Sequence, residues 1–163
     1  MPDMLVNLYT MPKIDMEARM SEEGITIKRA MVLDKEKIVE FVKANFADIC
    51  IEWAYECEKA IFNNPPSCYL AVKDNEILGF ACYNASALGF FGPTGVVPSA
   101  QGKGIGKALL GRCLESMKEL GYGYAIIGYV TDAISFYENV VNATVIEGSS
   151  TDKSVYCNLI EIT

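Results

Sequence analysis

Residues 77–102 carry no charged side chain over a length that would cross a membrane. They do not read as one span, because Gly79, Gly89, Gly92, Pro93, Gly95 and Pro98 punctuate the stretch and Asn84 and Gln101 add polar groups. Turn residues at that density divide it into consecutive buried strands. The period then changes. From Gly104 onward Ile105, Leu109, Cys113 and Met117 fall on one helical face, with Leu110 and Leu114 beside them, and the pattern ends near Gly121. Residues 122–130 return to an apolar run of strand length. A strand, a helix and a strand over residues 88–130 predict a crossover inside a mixed sheet.

The stretches 68–73, 77–84 and 87–97 are joined by connections too short for a crossover, so they pair antiparallel. Upstream, residues 25–30 alternate as a first strand, and Asp34 opens a helix with Ile38, Phe41, Val42 and Phe46 on one face. A second helical pattern over residues 52–62 stops at Asn63-Asn64-Pro65-Pro66. Downstream, Asp132 is expected to cap a short helix to about Val140, and residues 144–147 and 155–160 to supply a closing pair of strands. Residues 1–24 read as an N-terminal extension docked on the domain, with an apolar start at residues 4–9 and one charged helix over residues 13–23 ending at Gly24. A chain of 163 residues suits one domain, here residues 25–163 behind that extension. The fold class is α+β, a mixed and mostly antiparallel central sheet flanked by about four helices.

Charge narrows the chemistry. Fourteen Lys and Arg against 21 Asp and Glu give a net charge of -7, the wrong sign for a nucleic-acid binder. There is no histidine, which excludes Ser/His/Asp and Cys/His catalysis and His-ligated zinc. The cysteines, at 50, 57, 68, 82, 113 and 157, show no C-x-x-C spacing, so no metal is expected and they read as reduced, mostly buried thiols of a cytoplasmic protein. The opening Met-Pro-Asp lacks the charged-then-apolar run of a secretion signal, and no membrane partner is expected.

The sharpest motif is Gln101-Gly102-Lys103-Gly104-Ile105-Gly106-Lys107, between a buried strand and an amphipathic helix. Unpaired N–H groups and the positive end of the macrodipole make such a helix start suit an anion, and glycines let the backbone itself approach it. Residues 77–114 contain no acid, while Lys103, Lys107 and Arg112 add positive charge. The spacing fails the Walker pattern, since Gly102 to Gly106 is one residue short and Ala108 stands where the magnesium-binding hydroxyl belongs. It fails the dinucleotide fingerprint, since Lys107 replaces the third glycine. What remains, Gln-x-x-Gly-x-Gly, resembles the acetyl-CoA pyrophosphate loop of the GCN5-related N-acetyltransferases. The order of elements from Ile25 to Ile160 resembles that family's fold, and one bacterial branch of it in particular.

The resemblance implies acetyl-CoA as co-substrate and transfer of its acetyl group to a primary amine, of a small molecule or a peptide, by direct attack in a ternary complex. A backbone N–H at Val96 or Val97, ahead of Pro98, would bind the thioester carbonyl. The amides of Gln101, Gly102, Lys103, Gly104, Ile105 and Gly106 would hold the pyrophosphate, with Lys103 and Lys107 adding charge, and the pantetheine arm would lie between the strands at 88–97 and 122–130. Tyr137 matches the family tyrosine that protonates the departing thiolate, a role open to a phenol of pKa ~10. A core pair of Phe136 and Tyr137 is the alternative. Val130 stands where the family often has Asn. The general base stays open between a carboxylate and a water chain. Glu52, Trp53 and Glu56 lie in the helical region that shapes the acceptor pocket in this family, and the two acids would bind or deprotonate a cationic amine unless they are only a solvated helix face. A noncatalytic acyl-CoA-binding module of the same fold is the competing reading, and a homodimer is compatible with either.

Overall fold

The computed structural model describes residues 1–161. Its seven strands are β1 (Met4–Asn7), β2 (Thr26–Arg29), β3 (Cys68–Lys73), β4 (Glu76–Tyr83), β5 (Phe90–Val96), β6 (Tyr124–Ile127) and β7 (Thr144–Val145). They form one sheet in the order β2-β3-β4-β5-β6-β1-β7. Every pairing is antiparallel except β5 with β6, whose crossover is the longest helix of the described chain. The helices are α1 (Glu17–Glu22), α2 (Lys35–Phe46), α3 (Glu52–Ile61), α4 (Ile105–Glu119) and α5 (Ile134–Val141). The α+β class and the mixed sheet agree with the sequence reading.

Alternation along β3 and β4 buries both faces of the sheet. Cys68, Leu70, Phe80 and Cys82 turn toward α2 and α3, where they meet Ile38, Val42, Phe46, Cys57 and Ile61. Tyr69, Ala71, Ala81 and Tyr83 turn the other way, among Ile105, Leu109, Cys113 and Met117 of α4. β3 reverses into β4 through Asp74 and Asn75, whose φ angles of 50° and 64° belong to the two-residue turn that matches strand twist.

Three local expectations are corrected. Residues 1–24 do not merely dock on the sheet: β1 enters it, pairing along its whole length with β6 and at its start with β7, and Met4 and Val6 are fully buried. Residues 155–160 do not form a strand, since Val155–Asn158 is a 3₁₀ turn. The place beside β6 that a closing strand needs is already taken by β1. Asp132 caps no helix, because α5 begins after Ala133 with no side-chain hydrogen bond at its start.

From β1 the chain crosses the outside of α4 to reach β2 at the far edge. Ile14 settles on the bare surface of Gly111, and Met16 and Arg19 lie over Gly104. Among the described residues, no helix is long and apolar enough to cross a membrane.

Candidate active site

One extra residue in β5 builds the site. Across from Ala81 and Tyr83 the partners are Thr94 and Phe91, so three steps of β5 answer two of β4 and residues 92–93 bulge. Before the bulge Phe91 belongs to the α4 side of the sheet; after it Gly95 faces α2, with the Phe46 ring 2.7 Å from where a Cβ would stand. β5 pairs with β6 only at Phe90↔Ile126 and Phe91↔Ile127. Beyond that point β5 has β4 on one side and a gap on the other.

Alternation decides which amide faces the gap. Val97 donates its N–H to the Leu78 carbonyl at 2.9 Å, so it is spent on β4. Val96, one residue earlier, directs its N–H and C=O the opposite way. Gln101 reaches back from the glycine turn and donates Nε2 to the Val96 carbonyl at 3.2 Å. Of the two amides singled out from the sequence, Val96 is the one turned toward the gap.

A 3₁₀ turn at Pro98–Ala100 carries the chain from β5 to Gln101. Gly102 and Gly104 follow with φ of 82° and 86°, a left-handed backbone that glycine adopts without strain, and α4 begins at Ile105. A Cβ at Gly102 would meet nothing within 4 Å, and one at Gly106 only the Val96 side chain at 3.9 Å. The N-terminus of α4 therefore opens beside Val96, with bare backbone at Gly102 and Gly106 but Gly104 covered by Met16 and Arg19, and its unpaired helix N–H groups fit an anionic group such as a pyrophosphate. The charge around it is less one-sided than the sequence suggests. Glu23 comes within 3.6 Å of Lys103, and Arg19 donates to the Gly102 carbonyl at 3.0 Å. Lys107 is exposed on the first turn of the helix.

Tyr137 of α5 is 7% exposed and stands edge-on to Phe91 at 6.3 Å and to Phe136 at 5.2 Å. Because Phe91 is the last β5 residue paired with β6, the phenol lies next to the point where the strands part. Burial pushes its pKa up to about 12, which keeps it protonated at neutral pH. Tyr137 and Phe136 thus form a ring pair against Phe91. Val130 is buried and donates its N–H to the Pro2 carbonyl at 2.9 Å.

On the α3 side the two acids differ. Glu56 is half-buried and accepts a hydrogen bond from the Ser86 hydroxyl. Burial raises its carboxyl above the ordinary range; Ser86 opposes the shift and Glu52, one turn away, reinforces it. Glu52 is exposed in the first turn of α3 and accepts the Cys50 thiol at 3.2 Å. Trp53 does not share their face. Its ring packs against Phe46 at 5.8 Å and Phe80 at 6.3 Å, so it holds α3 to the sheet.

Tyr156 was not singled out from the sequence. The C-terminal turn lays its hydroxyl where a Cβ of Gly128 would be, beside the Phe90 ring, with the ring edge-on to Tyr129 at 5.7 Å. Burial, then the Asp3 and Glu56 carboxylates, push its phenol well above the usual range. The one signal for it was Gly128 itself, a bare residue at the end of a strand. A surface depression of about 460 Å³ lined by Lys37, Phe41, Ile77 and Ser99 touches Val97 from the β4 side and does not enter the gap.

The sheet thus opens between its two parallel strands, over a glycine-lined helix start. Residues 29–141 match the model of the Acetyltransferase (GNAT) family, and the chain belongs to that family. No curated protein sequence matches it. Among solved structures, the GCN5-related glucosamine N-acetyltransferase region of a fungal multi-domain β-N-acetylglucosaminidase superposes with a TM-score of 0.71 at 16% identity, over 89% of this chain and 19% of that one. A GCN5-related N-acetyltransferase from Sphaerobacter thermophilus gives 0.67 at 22% identity, over 89% and 48%. A GNAT family acetyltransferase from Brucella melitensis in complex with acetyl-CoA gives 0.53 at 20% identity, over 69% and 80%. The chain thus spans 19% and 48% of the length of the first two, and at these identities the likeness concerns the fold.

Proposed function

We propose that the protein transfers the acetyl group of acetyl-CoA to a primary amine, with both substrates bound together at the gap between β5 and β6. The observation that carries this reading is the Val96 amide, turned to the gap beside the bare start of α4. Acetyl-CoA supplies a reactive thioester. The N–H groups of Gly102 to Gly106 hold its pyrophosphate, with Lys103 and Lys107 adding charge; the Gln101 N–H, expected to join them, is instead donated to the Pro98 carbonyl at 3.3 Å. Val96 donates its N–H to the thioester carbonyl oxygen as negative charge develops there, a contribution of ~2.7–4 kcal/mol in comparable sites. Tyr137, kept protonated by burial, gives its proton to the departing thiolate. Glu56 takes a proton from the amine, directly or through one water, and its raised carboxyl brings the base nearer to neutral pH. Glu52 adds negative potential for a cationic amine, whether on a small molecule or a peptide. Free thiols at all six cysteines suit a reducing cytoplasm.

Acetyl-CoA is expected to raise the melting temperature of the purified protein, and a panel of amines assayed by thiol release to reveal an acceptor. Tyr137→Phe is expected to keep acetyl-CoA binding and lose turnover by about 10²-fold or more. Absence of stabilisation at acetyl-CoA concentrations far above micromolar overturns the reading. Binding without turnover on any amine leaves the noncatalytic acyl-CoA module in its place.

A further inference from the structure

Away from the gap, three thiols converge in the α2/α3 side of the core. Cys57 of α3, Cys68 of β3 and Cys82 of β4 have no exposed surface, and their Sγ atoms all lie within 4.8 Å of one another. Cys68 and Cys82 face each other directly across the β3–β4 ladder. Cys57 closes the triangle from the helix layer, with its Sγ 4.0 Å from that of Cys68. Ile61, Leu70 and Phe80 belong to the same apolar cluster.

The triangle has the size of a three-sulfur coordination site. Bonds of about 2.3 Å from one centre to three sulfurs set those sulfurs about 3.5–4.0 Å apart, pyramidal or planar, so small side-chain rotations close it. Charge then selects the occupant. Three thiolates leave two negative charges around Cu(I) and one around Zn(II), and an unpaired charge in an apolar core is strongly disfavoured. Zinc also asks for a fourth ligand, and the chain has no histidine to give it. A trivalent thiophilic centre leaves no net charge and is satisfied by three sulfurs.

We infer that Cys57, Cys68 and Cys82 form a binding site for a trivalent metalloid of the arsenite class. Arsenous acid and three thiols give a neutral tris-thiolate and three waters: three As–O and three S–H bonds break, and three As–S and three O–H bonds form. No electrons change hands. Entry requires α3 to lift transiently from the sheet, which makes loading slower than reaction at surface thiols. Cys57 adjoins Glu56, so an occupied triangle pins the helix that bears the acceptor-side acids.

The test uses the native protein, sodium arsenite and a non-thiol reductant, with native mass spectrometry after gel filtration. The expected result is one arsenic per chain, seen as the mass of arsenic less three protons, with a raised melting temperature. Binding is expected to survive in the Cys50→Ser/Cys157→Ser double variant and in Cys113→Ala, and to weaken at least tenfold in Cys57→Ala and Cys82→Ala. Because core variants sometimes fail to fold, timed alkylation and peptide mapping of the wild type with and without arsenite provide a second readout, with alkylation of Cys57, Cys68 and Cys82 slowed together by arsenite relative to the arsenite-free protein and that of Cys113 unchanged. Absence of arsenic from the native protein, unchanged binding in Cys57→Ala and Cys82→Ala, or protection at Cys50 and Cys157 instead, overturns the inference.

Discussion

Glu56 is pulled in opposite directions by folding and by chemistry. Burial raises its native pKa above the ~4.3 of an unfolded glutamate, so its stabilising contribution is full below that value and is lost as pH rises through the raised native one. Glu56→Gln, neutral throughout, is therefore expected to gain stability relative to the wild type between pH 4 and pH 7, read by urea denaturation at both ends. The same variant is expected to lose about 10²-fold in kcat/KM and, with it, the acid limb of the pH profile. A stability difference that stays constant with pH contradicts the sign. The pairing of Glu52 with Glu56 was legible from their four-residue spacing, but Ser86 was not, since only tertiary packing brings that loop to α3. Trp53 is one step, or about 100°, around the helix from Glu52, which is why it faces Phe46 and Phe80. Val96 and Val97 became distinguishable only once Leu78 was known to take the Val97 amide.

β5 and α2 meet at a single bare residue. The Phe46 ring lies on Gly95 and is itself packed by Phe41, Trp53 and Phe80 at 5.8, 5.8 and 5.5 Å, so it has little room to retreat. Gly95→Ala is expected to cost about 1–3 kcal/mol by overpacking, measured as a lower urea midpoint with an unchanged m-value. A neutral result would show that α2 can shift freely away from β5. The hairpin of β3 and β4 was legible because Asp74 and Asn75 supply the turn and alternating residues fill both cores. The helical period of α4 was legible for the same kind of reason. Residues 155–160 misled because Val155, Cys157 and Leu159 alternate as a strand would, yet all three are exposed and Val155–Asn158 winds as a 3₁₀ turn. The thiol triangle was invisible because its members come from three elements and share no spacing rule.

At the scale of the molecule, a net charge of -7 is organised by what the first twenty-four residues bring to the glycine turn. Glu23 engages Lys103 at 3.6 Å, and exposed pairs of this kind are worth ~0.2–1 kcal/mol. Glu23→Gln is expected to release Lys103 and tighten acetyl-CoA binding by roughly 1.5- to 5-fold at low salt, an advantage that fades as salt approaches 1 M. Calorimetric titration at both ionic strengths checks it, and equal affinity under both conditions would assign Lys103 no part in the site. Strand β1 adds a consequence for the history of each molecule. Val6 pairs with Ala125 and Met4 with Ile127, so β1 finds its inner partner only after the long intervening stretch through α4 has been made. Until then Met4 and Val6, fully buried in the folded chain, lack the β6 neighbours that cover them. β1 and β6 thus close a contact across more than a hundred residues of chain, the kind of distant pairing that slows folding.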